Sequence, residues 1–326
     1  MKKRLVVVLA VILAFTSVFF AGCGDNSASD NDGVDATSIN VGTGGTTGTY
    51  YGFCNVVATV INEKTDMELT VQSSGASKAN ILDIDDGIVQ LAIVQNDVMD
   101  YAYNGTSLFE NDGAIKSFST LGAVYAEVCQ IVARADSGIK TVADLKGKKV
   151  SVGDSGSGVE FNAQQILGAY DITFEDIDKQ NLSFQASADA LKDGKIDAFF
   201  CTAGAPTVAI TDLSTTTGIV LVEIDNEHLA KLQKDYGFYA AYTVPAGTYN
   251  GIDKDAQTVA VKATFIVSNE LSEETVYNLT KAIYENKDNY THDKAKEMSL
   301  EYAVESISVP FHPGADKYFR EVGAIK

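Results

Sequence analysis

From Ser38 onward, short apolar runs alternate with stretches whose apolar residues recur at helical spacing. Ser38-Ile39-Asn40-Val41 reads as a first strand, and Phe53, Val56, Val57, Val60 and Ile61 mark one face of an amphipathic helix. Glu68 to Val71 reads as a strand, Ala76 to Asp85 as a helix, Leu91 to Val94 as a buried strand and Asp97 to Tyr103 as a helix. Val128 to Ala133 is strand-like, Val142 to Leu145 a helical turn, and Lys149 to Val152 a strand. Ser157 to Leu167 starts a helix with a capping box, Ser157 and Glu160 three apart. Ala188 to Lys192 is helical, Ala198 to Phe200 a buried strand, and Pro206 suits the first turn of the next helix. Ile219 to Ile224 and Val259 to Val267 are strands, with helices over Glu273 to Asn289 and Asp316 to Val322. This alternation predicts an α/β protein.

The first residues follow another pattern. Lys2, Lys3 and Arg4 precede an apolar stretch, Leu5 to Phe20, broken only by Thr16 and Ser17 and closed by Ala21-Gly22-Cys23. That is the layout of a secretory signal peptide, and its apolar run falls short of the ~20 residues a membrane span needs. The ending resembles a bacterial lipobox with Phe20 in place of the usual Leu, so residues 1–22 are expected to be removed and Cys23 to carry lipid. The stretch 23–38, rich in Gly, Asp, Asn and Ser, is expected to be a flexible tether.

The full chain has 326 residues and a formal charge of −19. Removing residues 1–22 takes away three positive charges and no acid, leaving −22. Such a body does not suit nucleic acid or an anionic membrane face. The remaining length suggests two lobes. With no linker after residue 40 and no repeat, a chain that crosses over more than once is expected: 39–126 plus 240–326 as lobe 1 and 127–239 as lobe 2. Cys54, Cys129 and Cys201 lack metal-type spacing. They suit buried free thiols, the other reading being one disulfide with a thiol left over.

Four Gly/Ser/Thr-rich loops each follow a strand and open a helix: Gly42 to Thr49, Ser73 to Ser77, Gly153 to Gly158 and Thr202 to Ala205. Free N–H groups at a helix start attract anions, and glycine lets backbone approach closely. In open α/β sheets such loops lie at the carboxyl ends of strands, where ligands bind. Gly42-x-Gly44-x-x-Thr47 lacks the third glycine of a dinucleotide fingerprint, and no loop carries Gly-Lys-Ser/Thr. Gly153-Asp154-Ser155-Gly156 is similar to a serine-protease nucleophile segment, but His228, His292 and His312 all follow Ser155, the wrong order. The histidines lack metal-ligand spacing, so no enzyme, metal or cofactor is expected.

Gly42-Thr-Gly-Gly-Thr-Thr-Gly-Thr-Tyr-Tyr51, Leu91 to Val98, Val150 to Gly158, Lys195 to Gly204, Val244 to Tyr249 and Phe311 to Ala315, in that order, resemble the TAXI family over nearly the whole body. These are the solute-binding subunits of one class of TRAP transporters. The resemblance implies a two-lobe, type II periplasmic-binding-protein fold that closes on its ligand by hinge motion. It also implies a TRAP permease driven by an ion gradient, an extracytoplasmic location, and a ligand such as glutamate, glutamine or a related small carboxylate. Carried onto this chain, it implies a site from Thr43, Gly44, Gly45, Thr46, Thr47 and Tyr51 with Ser74, Gly75, Ala76 and Gln95. Ser155, Gly156, Ser157, Thr202, Ala203 and Gly204 would close from the other lobe. Arg134 suits either a bidentate grip on a ligand carboxylate or a surface pair with Asp136. A ligand-sensing subunit for a membrane signalling partner would use the same fold.

Overall fold

The computed structural model describes residues 33–326, so the signal segment, Cys23 and most of the tether lie outside the described residues. In chain order the elements are β1 (Ser38–Gly42), α1 (Thr49–Lys64), β2 (Glu68–Gln72), α2 (Ser77–Asp85), β3 (Leu91–Gln95), α3 (Asn96–Asn104) and β4 (Phe118–Arg134). There follow β5 (Lys149–Ser151), α4 (Gly158–Ala169), β6 (Asp178–Gln180), α5 (Phe184–Lys192), β7 (Ala198–Ala203), α6 (Val208–Thr216), β8 (Ile219–Leu221) and α7 (Asn226–Asp235). The chain ends with β9 (Ala240–Val244), β10 (Ala256–Ser268), α8 (Glu273–Glu285), α9 (Leu300–Val304) and α10 (Pro313–Glu321).

The strands form one sheet in the order β2-β1-β3-β10-β4-β7-β5-β6, with β8 against β4 and β9 against β10. Its two wings, β2-β1-β3 and β7-β5-β6, are parallel. They are joined through β10 and β4, which run antiparallel to each other and to their outer neighbours. Helices cover both faces of each wing. One core packs α1, α8 and α10 on the first wing through Phe53, Ile61, Val276 and Phe319, and a second packs α2 and α3 on its other face through Ile81, Val98 and Met99. Around the second wing, Ile166 and Leu232 of α4 and α7 pack on one face, and Leu191 and Ile210 of α5 and α6 on the other.

The long strands pass between these cores. On β4, Leu121, Val124 and Tyr125 belong to the first wing's core, whereas Val128 and Cys129 belong to the second's. On β10 the change falls between Val261 and Ala263. Val244, Tyr249, Ile252 and Ala256 pack with the second wing, although residues from 240 on were expected with the first. The β4–β10 ladder carries register shifts at Ala263/Thr264 and Phe265/Ile266. At the second, Gly122 faces the Tyr284 hydroxyl so closely that a Cβ would stand 2.3 Å from it, while that hydroxyl donates to the Ala123 carbonyl.

Several expectations need correction. β4 begins ten residues before Val128, because Thr120, Gly122 and Glu127 interrupt the apolar pattern of a strand buried on both faces. Pro206 precedes the helix: Thr207 is the cap of α6 and α6 starts at Val208. The helix from Glu273 stops at Glu285 and gives way to a separate turn over Lys287–Asn289. Half of the capping box forms at α4. The Ser157 hydroxyl accepts from the Glu160 N–H, but the Glu160 carboxylate takes the Gly156 N–H and Lys179 instead. The short strands β6 and β9 and the polar helix α7 were not anticipated. The three cysteines Cys54, Cys129 and Cys201 are buried free thiols.

Candidate functional site

The loops at the carboxyl ends of β1, β2, β3, β5, β6 and β7 meet in one cleft between the wings. Each leads into a helix, and the starts of α1, α2, α3, α4 and α5 all contribute to the cleft wall. An inner chamber of about 40 Å³ is lined by Gly44, Gly45, Gly48, Thr49 and Tyr50 from the β1–α1 turn, Ala76, Ser77, Gln95 and Glu127 from the rest of the first half, and Gly158, Val159, Phe184, Thr202 and Ala203 from the second. An outer mouth of about 190 Å³ adds Thr46, Thr47, Ser74, Gly75, Asp154, Ser157, Ser183 and Gln185. Val159 and Phe184 border both spaces.

The helix starts at the cleft differ in how they are capped. Ser157 and Ser183 accept from first-turn N–H groups of α4 and α5. Gly48, Ala76 and Gln95 provide no side-chain cap to α1, α2 or α3. Away from the cleft, α7, α8, α9 and α10 are capped by side chains and α6 is not. At α3 Asp97 takes the Val98 N–H, whereas the starts of α1 and α2 leave donors and partial positive charge at the cleft wall, a setting for an anion. Ala76 is held at φ 66°, ψ −148°, a conformation that costs on the order of 1–3 kcal/mol and collects at ligand clamps.

Asn80 on α2 fixes the first half's loops. Its amide donates to the carbonyls of Thr43 and Ile93 at 2.7 and 2.8 Å, and its Oδ1 accepts from the Ser74 hydroxyl at 2.6 Å. Hydrogen bonds also run between the halves. Thr49 donates to the Gly204 carbonyl at 2.9 Å, Gln95 to Asn162 Oδ1 at 3.1 Å, Asn162 to Asp97 at 3.0 Å and Gln165 to Tyr101 at 2.8 Å. A Cβ on Gly158 would stand 1.9 Å from Gln95 Oε1, so only glycine permits this approach of the halves.

Of the residues expected at the site, Gly44, Gly45, Thr46, Thr47, Ser74, Gly75, Ala76, Gln95, Ser157, Thr202 and Ala203 come together around the cleft. Five do not line it. Thr43 spends both its N–H and its hydroxyl on the Gln72 carbonyl. Tyr51 is turned off the wall, and its neighbour Tyr50 takes the place. Ser155 is exposed, and the Gly156 N–H is taken by Glu160. The Gly204 carbonyl accepts from Thr49 and Thr207, behind the chamber. Arg134 pairs bidentately with Asp136 at the surface, outside the cleft. Sequence reasoning missed Tyr50, Ser77, Glu127, Gly158 and Phe184. For Glu127 the available signal was a lone acid inside an apolar strand.

No cation lines the inner chamber, and Glu127, 2 % exposed, stands in its wall. Burial pushes the Glu127 carboxyl up to about 8, against the pull of Tyr50, Lys294 and the Gly204 N–H. Burial likewise raises Asp97 to about 6, against the Val98 N–H and Asn162. Unfolded, both acids release their protons near ordinary carboxylate values, so between about pH 4 and 8 the folded chain holds more protons and rising pH favours unfolding. Burial lowers His292 and His312, which act in the opposite sense within this window, but the acids carry the larger shifts and set the sign. Asp176, held at about 2 by the Thr173 N–H and Lys146, matters only as pH falls toward that value. The unliganded protein should therefore melt at a higher temperature at pH 5 than at pH 8. At 1.36 kcal/mol per unit, the full shift of Asp97 corresponds to about 3 kcal/mol, of which roughly half falls between pH 5 and 8. A higher melting temperature at pH 8 would mean that both acids are ionised in the fold.

Among the described residues no cluster of His, Cys, Asp or Glu could hold a metal ion. His292 and His312 accept backbone N–H groups at helical starts, and His228 pairs with Asp225. A separate recess of about 620 Å³ is an open groove between Asp35–Thr37, Lys64–Met67 and the outer side of α8, and no loop of the cleft reaches it. No helix among the described residues is long and apolar enough to cross a membrane.

A family model described as the NMT1-like family matches residues 41–323. Among solved structures, the alkanesulfonate-binding protein SsuA from Xanthomonas axonopodis pv. citri is 14% identical with a TM-score of 0.53, over 88% of this chain and 84% of that one. PhnD1 from Prochlorococcus marinus, in complex with methylphosphonate, is 10% identical with a TM-score of 0.54, over 89% and 99%. An ancestral arginine-binding protein is 18% identical with a TM-score of 0.50, over 81% and 99%. These likenesses show the fold: an α/β architecture of the type II periplasmic-binding-protein kind.

Proposed function

The chain belongs to the NMT1-like family, and on that premise we propose that it is an extracytoplasmic solute-binding protein that captures a small carboxylate or amino acid for a membrane permease. The observation that carries this reading is the convergence of five helix starts, from both wings, on one cleft. Three of those starts lack a side chain at the cap; at α3 Asp97 takes the Val98 N–H, so donors stand ready for an anionic group at α1 and α2. The bound sulfonate, phosphonate or amino acid of the similarly folded proteins suits the same kind of wall.

In this reading the wings are two lobes, hinged where β4 and β10 pass from one core to the other, near residues 125–128 and 261–263. Residues 240–261 then move with the second lobe. The bonds from Thr49 to Gly204 and from Gln95 to Asn162 are those of a closed state. The permease is of the TRAP kind, following the TAXI resemblance of the cleft loops, and lipid on Cys23 holds the protein at the membrane.

A thermal-shift screen with glutamate, glutamine, 2-oxoglutarate, phosphate, methylphosphonate and alkanesulfonates tests binding. A ligand at a hundredfold its Kd should stabilise the protein by about 2.7 kcal/mol. Silence across the panel, with no small molecule released on denaturation, would count against a binding protein. Uptake of the hit by cells should collapse with an ionophore that dissipates ion gradients. Uptake that survives the ionophore and stops on ATP depletion would replace the TRAP permease with an ATP-driven one.

A further inference from the structure

The inner chamber carries a second polarity, opposite to that of the helix starts. Five buried side-chain atoms among the described residues lack a hydrogen-bond partner, and three of them belong to residues of this chamber: the Tyr50 hydroxyl, Gln95 Oε1 and Glu127 Oε1. Their residues are 7 %, 2 % and 2 % exposed, so water does not satisfy them from outside. A buried polar atom left unpaired costs about 1–3 kcal/mol, and three gathered in one place point to a missing partner.

The kind of partner follows from what these atoms can do. Asn162 donates through Nδ2 to Asp97 and to Tyr239, each at 3.0 Å, so its Oδ1 must be the acceptor facing Gln95. The Gln95 amide is thereby oriented, with Nε2 on Asn162 at 3.1 Å and Oε1 free. Gln95 Oε1 can only accept; Glu127, protonated in the unliganded fold, has one donor, and once ionised it can only accept. The Tyr50 hydroxyl stands beside Glu127 and Ser77, interacts with both, and can donate as well as accept. Lys294, the nearest buried cation, is committed to Glu297 at 2.6 Å and lies outside the chamber wall.

We infer that Glu127, Gln95 and Tyr50 form the seat of a protonated amino group, so that the ligand is a zwitterion whose carboxylate lies at the uncapped starts of α1 and α2. The inference rests on the binding-protein reading and decides within it between an amino acid and a plain carboxylate. Size agrees: about 40 Å³ admits a group of a few atoms, and the mouth of about 190 Å³ takes the remainder. An incoming ammonium gives Glu127 the counter-charge that lets it ionise in a buried place, and it gives all three orphaned atoms a donor.

Calorimetric titration of the wild-type protein and of Glu127→Gln with amino acids and their desamino partners tests this. The pairs are L-glutamate with glutarate, L-glutamine with glutaramate, and L-alanine with propionate. In the wild type an amino acid should bind about 100-fold more tightly than its desamino partner, the scale of a lost buried charge pair. Glu127→Gln should remove most of that preference by weakening the amino acid, with the desamino partner little changed. Tyr50→Phe should weaken the amino acid by a smaller factor. If Glu127→Gln does not fold, the wild-type pairs still decide. A desamino partner that binds as tightly as its amino acid, or Glu127→Gln with an undiminished preference, overturns the amino seat and leaves the binding protein standing. Binding of no compound here or in the wider screen overturns both.

Discussion

Replacing Gly158 by alanine is expected to weaken ligand binding by about 100-fold while leaving the unliganded protein folded. Gly158 is the first residue of α4, and its Cα meets the buried Gln95 side chain of the other half. A Cβ there would stand 1.9 Å from Gln95 Oε1, 2.7 Å from Gln95 Cδ and 3.0 Å from a methyl of Val98. Gln95 would have to leave, giving up its bond to Asn162 and its place in the chamber. Overpacking costs about 1–3 kcal/mol and the lost hydrogen bond about 1 kcal/mol, and each 1.4 kcal/mol is tenfold in affinity. Because the clash lies between the two halves, opening at β4 and β10 relieves it, and the melting temperature without ligand should barely move. A fall of many degrees would instead show that the halves form one rigid body. Unchanged affinity would show that ligand does not need this closed approach.

Phe53→Ala is expected to cost about 3–5 kcal/mol of stability and to lower the melting temperature by roughly 10 °C. Phe53 is fully buried on α1. Its ring meets Tyr125 edge-on at 5.0 Å, His292 at 5.7 Å, Phe265 at 6.3 Å and Tyr290 at 6.4 Å. It thus ties α1 to both long strands and to the segment after α8, and a truncated side chain leaves a cavity that these rings cannot collapse to fill. The start of α1 forms part of the chamber wall, so affinity should fall as well. A loss under about 1 kcal/mol in denaturant unfolding would place the principal core elsewhere.

How far these features could be foreseen depends on whether their causes are local. Strand-to-helix turns rich in Gly, Ser and Thr announce themselves through turn chemistry, and Gly44, Gly45, Ser74, Ala76, Ser157 and Thr202 do reach the cleft. Gln95 follows a fully apolar strand and lies at its carboxyl end, as its position suggested. Thr43 misled because its hydroxyl is used by the Gln72 carbonyl, which depends on the pairing of β1 with β2. Tyr50 rather than Tyr51 faces the chamber, and here a signal was available: Tyr50, Phe53, Cys54, Val57 and Ile61 share the buried face of α1. The sequence pattern places Glu127 at a boundary between lobes. It lies inside a seventeen-residue strand whose length comes from spanning both wings, a tertiary fact. The contact of Gly158 with Gln95 joins residues far apart in sequence and had no local trace.

The central claim is that ligand binds in the cleft where the helix starts meet. Backbone amide hydrogen exchange with and without the ligand found by the thermal screen tests it most directly. Protection should appear in segments 44–50, 74–80, 153–160 and 183–187, drawn from both halves at once. Protection confined to residues 64–67 and 274–286, around the open groove beside α8, would contradict the account.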